Sequence, residues 1–207
     1  KYPSPVIIDE VQYAPKLFRH LKWLVDRDRH DMGQYILTGS QKFNLMKEVS
    51  DSLAGRCLLL ELETLCLPEV YDTSSISEHQ LKFLVRGQFP ELWRLKDFSA
   101  HAFYSSYLST YLERDVKQLV NVTSLRDFER FMRMLAVRNG QLLNKSEVAK
   151  ETGVSSKAIN SWISVLEASN QIVLLEPWYH NFSKRIVKSP KLYFCDTGLL
   201  CFLLDID

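Results

Sequence analysis

The chain has 207 residues, 46% of them apolar and 25% charged, with seven Gly and seven Pro, and no low-complexity tract or internal repeat. That is the make-up of an ordinary globular chain long enough for one or two small domains. Twenty-six Lys and Arg stand against 25 Asp and Glu, a net charge of +1, so no whole-molecule field selects nucleic acid, membrane or an acidic substrate, and any such partner must be met by a local cluster.

Val6-Ile7-Ile8 after Pro5 is a β-branched run that reads as a buried strand, and it ends on two acids, Asp9 and Glu10. Leu17, Phe18, Leu21, Leu24 and Val25 recur at helical spacing, and Tyr35-Ile36-Leu37-Thr38 is a second run of strand length. Two strands joined by one helical crossover predict a parallel pair. A third apolar run, Cys57 to Leu62, follows a helix-like stretch from Phe43 to Leu53 and is expected as a third strand. This alternation is that of an α/β sheet, whose ligands bind beyond the carboxyl ends of the strands.

After Pro68 the strand signals fade until Ile172. Asp97 to Val120, rich in aromatics at helical spacing, reads as one or two packed helices, and Ser124 to Arg138 as another that opens on Ser124 and Asp127 and is followed by Gly140. Lys145 to Glu151, the turn Thr152 to Ser155, and Ser156 to Ala168 form helix, tight turn, helix. Gln171 to Leu175 and Lys191 to Phe194 then read as two strands around a basic stretch. Two helices followed by a hairpin is the winged variant of helix-turn-helix.

The residues that could carry chemistry lie at the strand ends. A nucleotide hydrolase needs a carboxylate near Mg²⁺ and a second acid to orient or deprotonate water; Asp9 and Glu10 offer both. Tyr35-Ile36-Leu37-Thr38-Gly39-Ser40 ends in small polar residues where a γ-phosphate sensor would lie, and Ser52-Leu53-Ala54-Gly55-Arg56 brings a guanidinium suited to phosphate charge. In the second helix of the helix-turn-helix, Ile159, Ile163 and Leu166, with Trp162 alongside, form the buried face, leaving Ser156, Lys157, Asn160, Ser161 and Ser164 outward. Lys157 and Asn160 are candidates for base edges; Lys184, Arg185 and Lys188 in the wing are candidates for phosphates. From Arg126 to Lys191 there are eleven Lys and Arg against six Asp and Glu, a modest local excess that leaves DNA contact and a purely structural role both open.

Val6-Ile7-Ile8-Asp9-Glu10-Val11-Gln12, Ile36-Leu37-Thr38-Gly39-Ser40-Gln41, Leu53-Ala54-Gly55-Arg56 and the distant Tyr193-Phe194-Cys195-Asp196-Thr197-Gly198-Leu199, in that order, resemble the prokaryotic AAA-type ATP-binding proteins that carry a C-terminal domain of unknown function. Leu112 to Val116 and Trp162 to Glu167 are similar to that family as well, so the resemblance runs across nearly the whole chain. It implies a Walker B role for Asp9 on Mg²⁺ and for Glu10 on the attacking water, a sensor role for Ser40, with Thr38 as second choice, and an arginine-finger role for Arg56. Gln12 and Gln41 match the pattern without an assigned chemistry.

The expected fold class is therefore α/β: a partial parallel-sheet P-loop ATPase core, its C-terminal half, over residues 1–70, a helical connector over 71–122, and a mainly α winged-helix domain over 123–207. The family's Walker A loop is missing, because no two glycines stand five apart as GxxxxGK[ST] requires. Lys1-Tyr2-Pro3 is neither a signal peptide nor an initiator start, so further sequence upstream is expected. The reading is an ATPase in the intact protein, using ATP and Mg²⁺, with this piece alone inactive and holding no cofactor; the rival is a non-enzymatic winged-helix module that binds DNA or protein. Self-association through an unpaired sheet edge is also open. Cys57, Cys66, Cys195 and Cys201 lack metal-ligand spacing and sit in apolar runs, so they read as reduced core thiols of a cytoplasmic protein. The longest apolar run, Leu199 to Leu204, is far short of the roughly 20 residues a membrane span needs.

Overall fold

The computed structural model describes residues 5–39, 49, 52–72, 76–95, 97–112, 116, 124–178 and 188–206. They fall into two compact units, Lys1–Leu62 and Glu63–Asp207. Among the described residues no helix is long and apolar enough to cross a membrane.

In the first unit, strand β1 (Val6–Ile8) pairs in parallel with β2 (Tyr35–Leu37), in the register Val6 to Tyr35, Ile7 to Ile36 and Ile8 to Leu37. Helix α1 (Pro15–Arg27) makes the crossover; proline at its first turn costs nothing, since the N–H it lacks has no helical partner there. Phe18 and Leu21 of α1 are buried with Val11, Val49 and Leu53, and Ile8, Leu17, Tyr35 and Leu37 pack against them. Strand alternation sends Ile7 and Ile36 to the opposite face, where both are exposed.

The third run departs from expectation. Residues 57–66 form no strand among the described residues, and Leu58, Leu60 and Leu62 are 82%, 83% and 101% exposed. A strand exists only through its ladder, and none of the described strands pairs with this segment. The helix expected from Phe43 to Leu53 lies mostly outside the described residues, although Val49 and Ser52 are helical. Cys57 and Cys66 are exposed rather than core, while Cys195 and Cys201 are half-buried; all four are free thiols. Cys57 leaves the core because the run that carries it has no sheet to enter.

The second unit is mainly helical: α2 (Leu67–Val70), α3 (Ile76–Arg86), α4 (Pro90–Arg94), α5 (Ala100–Tyr111), α6 (Leu125–Val137), α7 (Lys145–Thr152), α8 (Ser156–Ala168) and α9 (Thr197–Leu203), with an antiparallel hairpin of β3 (Ile172–Leu175) and β4 (Lys191–Phe194) ahead of α9. Leu142 forms an isolated antiparallel bridge to Lys191, beside the start of β4. Five of these helices begin on a side chain that satisfies an orphan amide: Ser99, Ser124, Asn144, Ser155 and Asp196 accept from Ala102, Asp127, Glu147, Ala158 and Leu199. Gly153, at a φ of 72°, ends α7 in the left-handed conformation that frees the chain to turn into α8.

One continuous core serves this unit. Phe128, Phe131, Met132, Leu135 and Ala136 of α6 recur at three- and four-residue spacing and are fully buried. Trp162 of α8 lies 5.1 Å from Phe128 and 5.3 Å from Phe131, ring centroid to centroid. Ile159, Ile163 and Leu166 are buried as helical spacing requires, while Ser156, Lys157, Asn160, Ser161 and Ser164 are exposed. Tyr104, Leu108 and Tyr111 of α5 join the same core, so the aromatic stripe of that helix packs the interior. Helix α9 packs against α3, α5 and α6.

Candidate functional site

The parallel register sets the carboxyl ends of β1 and β2 side by side. Two backbone bonds extend the pairing past the strands: the Thr38 amide donates to Ile8 O at 3.0 Å, and the Val11 amide donates to Thr38 O at 3.0 Å. These bring the Thr38 hydroxyl against the Asp9 carboxylate, to which it donates. Thr38 and Asp9, 29 residues apart, thus share one corner of the sheet.

Glu10 follows in the left-handed region, at a φ of 50° and a ψ of 42°. A Cβ makes that conformation costly outside glycine, and Glu lacks the short side chain that lets Asn or Asp offset the cost. It turns the chain into the 3-10 segment Val11–Tyr13, whose Val11 is buried in the core of the unit. The Gln12 amide nitrogen folds back and donates to the Glu10 carboxylate. No signal in the sequence singles out this contact beyond the match of Gln12 to the pattern of the resemblance. Ser40 and Gln41 lie outside the described residues.

Arg56 follows Gly55, which takes a φ of 70°. Its guanidinium forms a two-pronged pair with Asp26 near the end of α1, Nε to Oδ1 at 2.7 Å and Nη2 to Oδ2 at 3.1 Å, and Nη1 reaches Ala54 O at 3.1 Å. Arg29 donates to the same Asp26 Oδ1 at 2.8 Å. The bonds from Arg56 and then Arg29 hold the Asp26 carboxyl down at about 2, so it stays ionised and the three groups carry one net positive charge. The role of Asp26 was not legible: it is the one acid of α1, and nothing in the sequence ties it to Arg56, 30 residues on.

In the second unit, Lys157, Asn160 and Lys188 are exposed, and Lys184 and Arg185 lie outside the described residues. Asp196, only 6% exposed, accepts from Tyr104 Oη at 2.7 Å, Gln88 N at 2.7 Å and Leu199 N at 2.6 Å. Burial first, and the Asp196 charge second, push the Tyr104 phenol far above its ordinary range. Burial also raises the Cys195 and Cys201 thiols. Among the described residues no three His, Cys, Asp or Glu side chains cluster as a metal site.

Residues 77–207, more than half of the chain, match the family profile described as Domain of unknown function (DUF8612). The chain belongs to that family. Residues 1–71 match the AAA domain, which supports an AAA-type P-loop family for the first unit. An uncharacterized protein of Mycobacterium tuberculosis is 35% identical over 202 residues, 98% of this chain and 45% of the relative, and one of Mycobacterium bovis matches equally. The chain thus spans just under half the length of these relatives of the DUF8612 protein. No solved structure matches it.

Proposed function

We propose that the DUF8612 chain carries the Walker B half of an AAA-type ATPase, joined to a winged-helix domain, and that the ATPase is completed by residues this chain does not span. The observation that carries this reading is the contact between Thr38 and Asp9 at the carboxyl ends of two parallel strands, where open α/β sheets bind their ligands. The AAA domain match over residues 1–71 points the same way.

The donor chemistry at that corner fits Mg²⁺: a carboxylate and a hydroxyl, both hard oxygen groups, with room in such sites for phosphate and water. Asp9 would hold the ion, and Thr38 would orient Asp9 through its hydroxyl. The bound ion supplies charge neutralisation on the phosphate oxygens. Glu10, adjacent in the chain but turned by its left-handed backbone, would orient the attacking water and accept its proton. Ser40 remains the sensor in the family-derived reading, with Thr38 the alternative. Arg56 would meet phosphate charge with the Nη1 and Nη2 hydrogens that Asp26 and Ala54 O do not engage. The test is ATP hydrolysis by the full gene product: Glu10→Gln should lower turnover by about a hundredfold or more, and Asp9→Asn should lower turnover and raise the Mg²⁺ concentration that hydrolysis requires. Turnover like that of the parent in Glu10→Gln would remove Glu10 from the mechanism, and a parent that does not hydrolyse ATP in the presence of Mg²⁺ would remove the ATPase reading.

A second reading concerns the other unit. Helix α7, a tight turn, α8 and the β3–β4 hairpin, with the bridge at Leu142, follow the element order of a winged helix. The outward face of α8, with Lys157 and Asn160, supports duplex DNA as its partner, and Lys188 would add a phosphate contact. Binding that weakens steeply with salt and falls in Lys157→Ala/Lys188→Ala would support it; salt-insensitive binding, or none, would leave the winged unit a structural or protein-docking element.

A further inference from the structure

The motif residue left without a chemistry is Gln12, and its placement is unusual. Its side chain is half-buried in the 3-10 segment after β1, and its amide nitrogen donates to Glu10 Oε2. Only this orientation of the amide is consistent, since turning it would set two acceptor oxygens against each other. The carbonyl oxygen Oε1 is then fixed by default, and it is buried with no hydrogen-bond partner among the described residues. Leaving a buried acceptor unmet is costly, and proteins do so rarely. The backbone beside it is also costly, with Glu10 left-handed at a φ of 50°. Two local costs therefore meet at one carboxylate.

We infer that Gln12 is the positioning residue for Glu10: its amide N–H fixes one carboxylate oxygen, and its unmet carbonyl accepts a hydrogen from the water that Glu10 activates. The inference rests on the ATPase reading above. With one O–H directed to Glu10 and the other to Gln12, the water presents a lone pair to the γ-phosphorus. The new bond is from water oxygen to phosphorus. The bond that breaks joins phosphorus to the bridging oxygen, whose electron pair leaves on ADP, and the proton of the water passes to Glu10. A neutral amide suits this role, because a second carboxylate there would repel Glu10 and a leucine would leave both the water and the carboxylate free to turn.

The experiment uses the full gene product and measures ATP hydrolysis with its thermal midpoint. Gln12→Leu should lower kcat by at least about tenfold while KM for ATP stays within about twofold and the midpoint stays within about 2 °C. Gln12→Met, of the same reach and without the amide, should repeat the result and stands in if the leucine variant does not fold. The deciding comparison is the double variant: if Gln12 acts through Glu10, Glu10→Gln/Gln12→Leu turns over no more slowly than Glu10→Gln alone. Multiplying losses, kcat and KM falling together with the midpoint, or parent-like turnover in Gln12→Leu and Gln12→Met would each overturn the inference. Parent-like turnover in Glu10→Gln would also overturn the inference, whereas the absence of Mg²⁺-dependent ATP hydrolysis by the parent would instead remove the ATPase reading itself, so the two failures are distinguishable.

Discussion

The phenol of Tyr104 donates to the carboxylate of Asp196 at 2.7 Å, and Tyr104 is almost wholly shielded from water. These residues, 92 positions apart, hold α5 against the turn that starts α9, while Gln88 and Leu199 donate to the same carboxylate through their amides. Removing the acceptor takes a partner from three donors at once: the buried Leu199 amide, the half-buried Gln88 amide and the Tyr104 hydroxyl, which keeps Arg86 O at 3.2 Å as a second acceptor. Asp196→Ala should cost about 3 kcal/mol or more, and Tyr104→Phe about 1–2 kcal/mol, in urea unfolding. Equal and small losses would show that the bonds are made as well by solvent.

The same phenol sets an alkaline limit. Burial keeps Tyr104 protonated in the folded chain well above its ordinary value of 10.0, whereas an unfolded tyrosine ionises there. Above about pH 10 the unfolded state therefore binds fewer protons than the folded state, and stability falls as pH rises. Unfolding midpoints measured from pH 9 to about 11.5 should decline less steeply in Tyr104→Phe than in the parent; parallel curves would contradict this.

Gly87 and Gly198 meet beneath that phenol. A Cβ on Gly198 would lie 2.7 Å from Gly87 Cα, and one on Gly87 would run into the Tyr104 hydroxyl, at a backbone φ of +82° that side chains rarely adopt. Gly198→Ala should destabilise by about 2 kcal/mol or more, through backbone contact that no rotamer change relieves. A thermal midpoint unchanged from the parent would mean that α9 can shift without loss.

Asp26 sets an acidic limit in the other unit. Its carboxyl is held from 3.8 down to about 2 by the two arginines, so the ionised form favours the fold. That contribution is complete above about pH 4 and is lost as pH falls toward 2. Carbon NMR of the Asp side chains should find one carboxyl titrating near the lower value in the parent and none there in Arg56→Gln. An Asp26 midpoint near 3.8 would discard the pairing.

Much of this was legible because periodicity reports burial. The ends of α8 and β4 fall where the spacing of apolar residues sets them, and Ser124 caps α6 as its side chain suggests. The juxtaposition of Asp9 with the second strand followed from the strand-helix-strand order, and Thr38 makes a contact there, while Ser40 lies outside the described residues. What failed was Cys57 to Leu62: composition marks a segment as apolar, whereas a strand depends on a neighbour elsewhere. Asp26 and Asp196 were hidden for a related reason. A lone acid in sequence carries no sign of the arginine or tyrosine that folding brings to it, and the short helices α2 and α4, of four and five residues, have too few turns for a clear period.

The two cores differ in extent: five buried side chains center the first, Val11, Phe18, Leu21, Val49 and Leu53, while the second runs from Leu92 to Leu203. Residues 63–207 produced alone should fold cooperatively, with a melting midpoint within about 5 °C of the upper transition of the parent chain. A molten, protease-sensitive product would show that this part leans on the other.

The outward pair Ile7 and Ile36 and the leucines at 58, 60 and 62 give the first unit a greasy exterior. In the test tube such a surface governs handling before it governs chemistry: ammonium sulfate should salt the chain out early, and an environment-sensitive dye should brighten on the native state. Polar replacements at Leu58, Leu60 and Leu62, whose side chains point into water, offer a soluble form without touching the folded core.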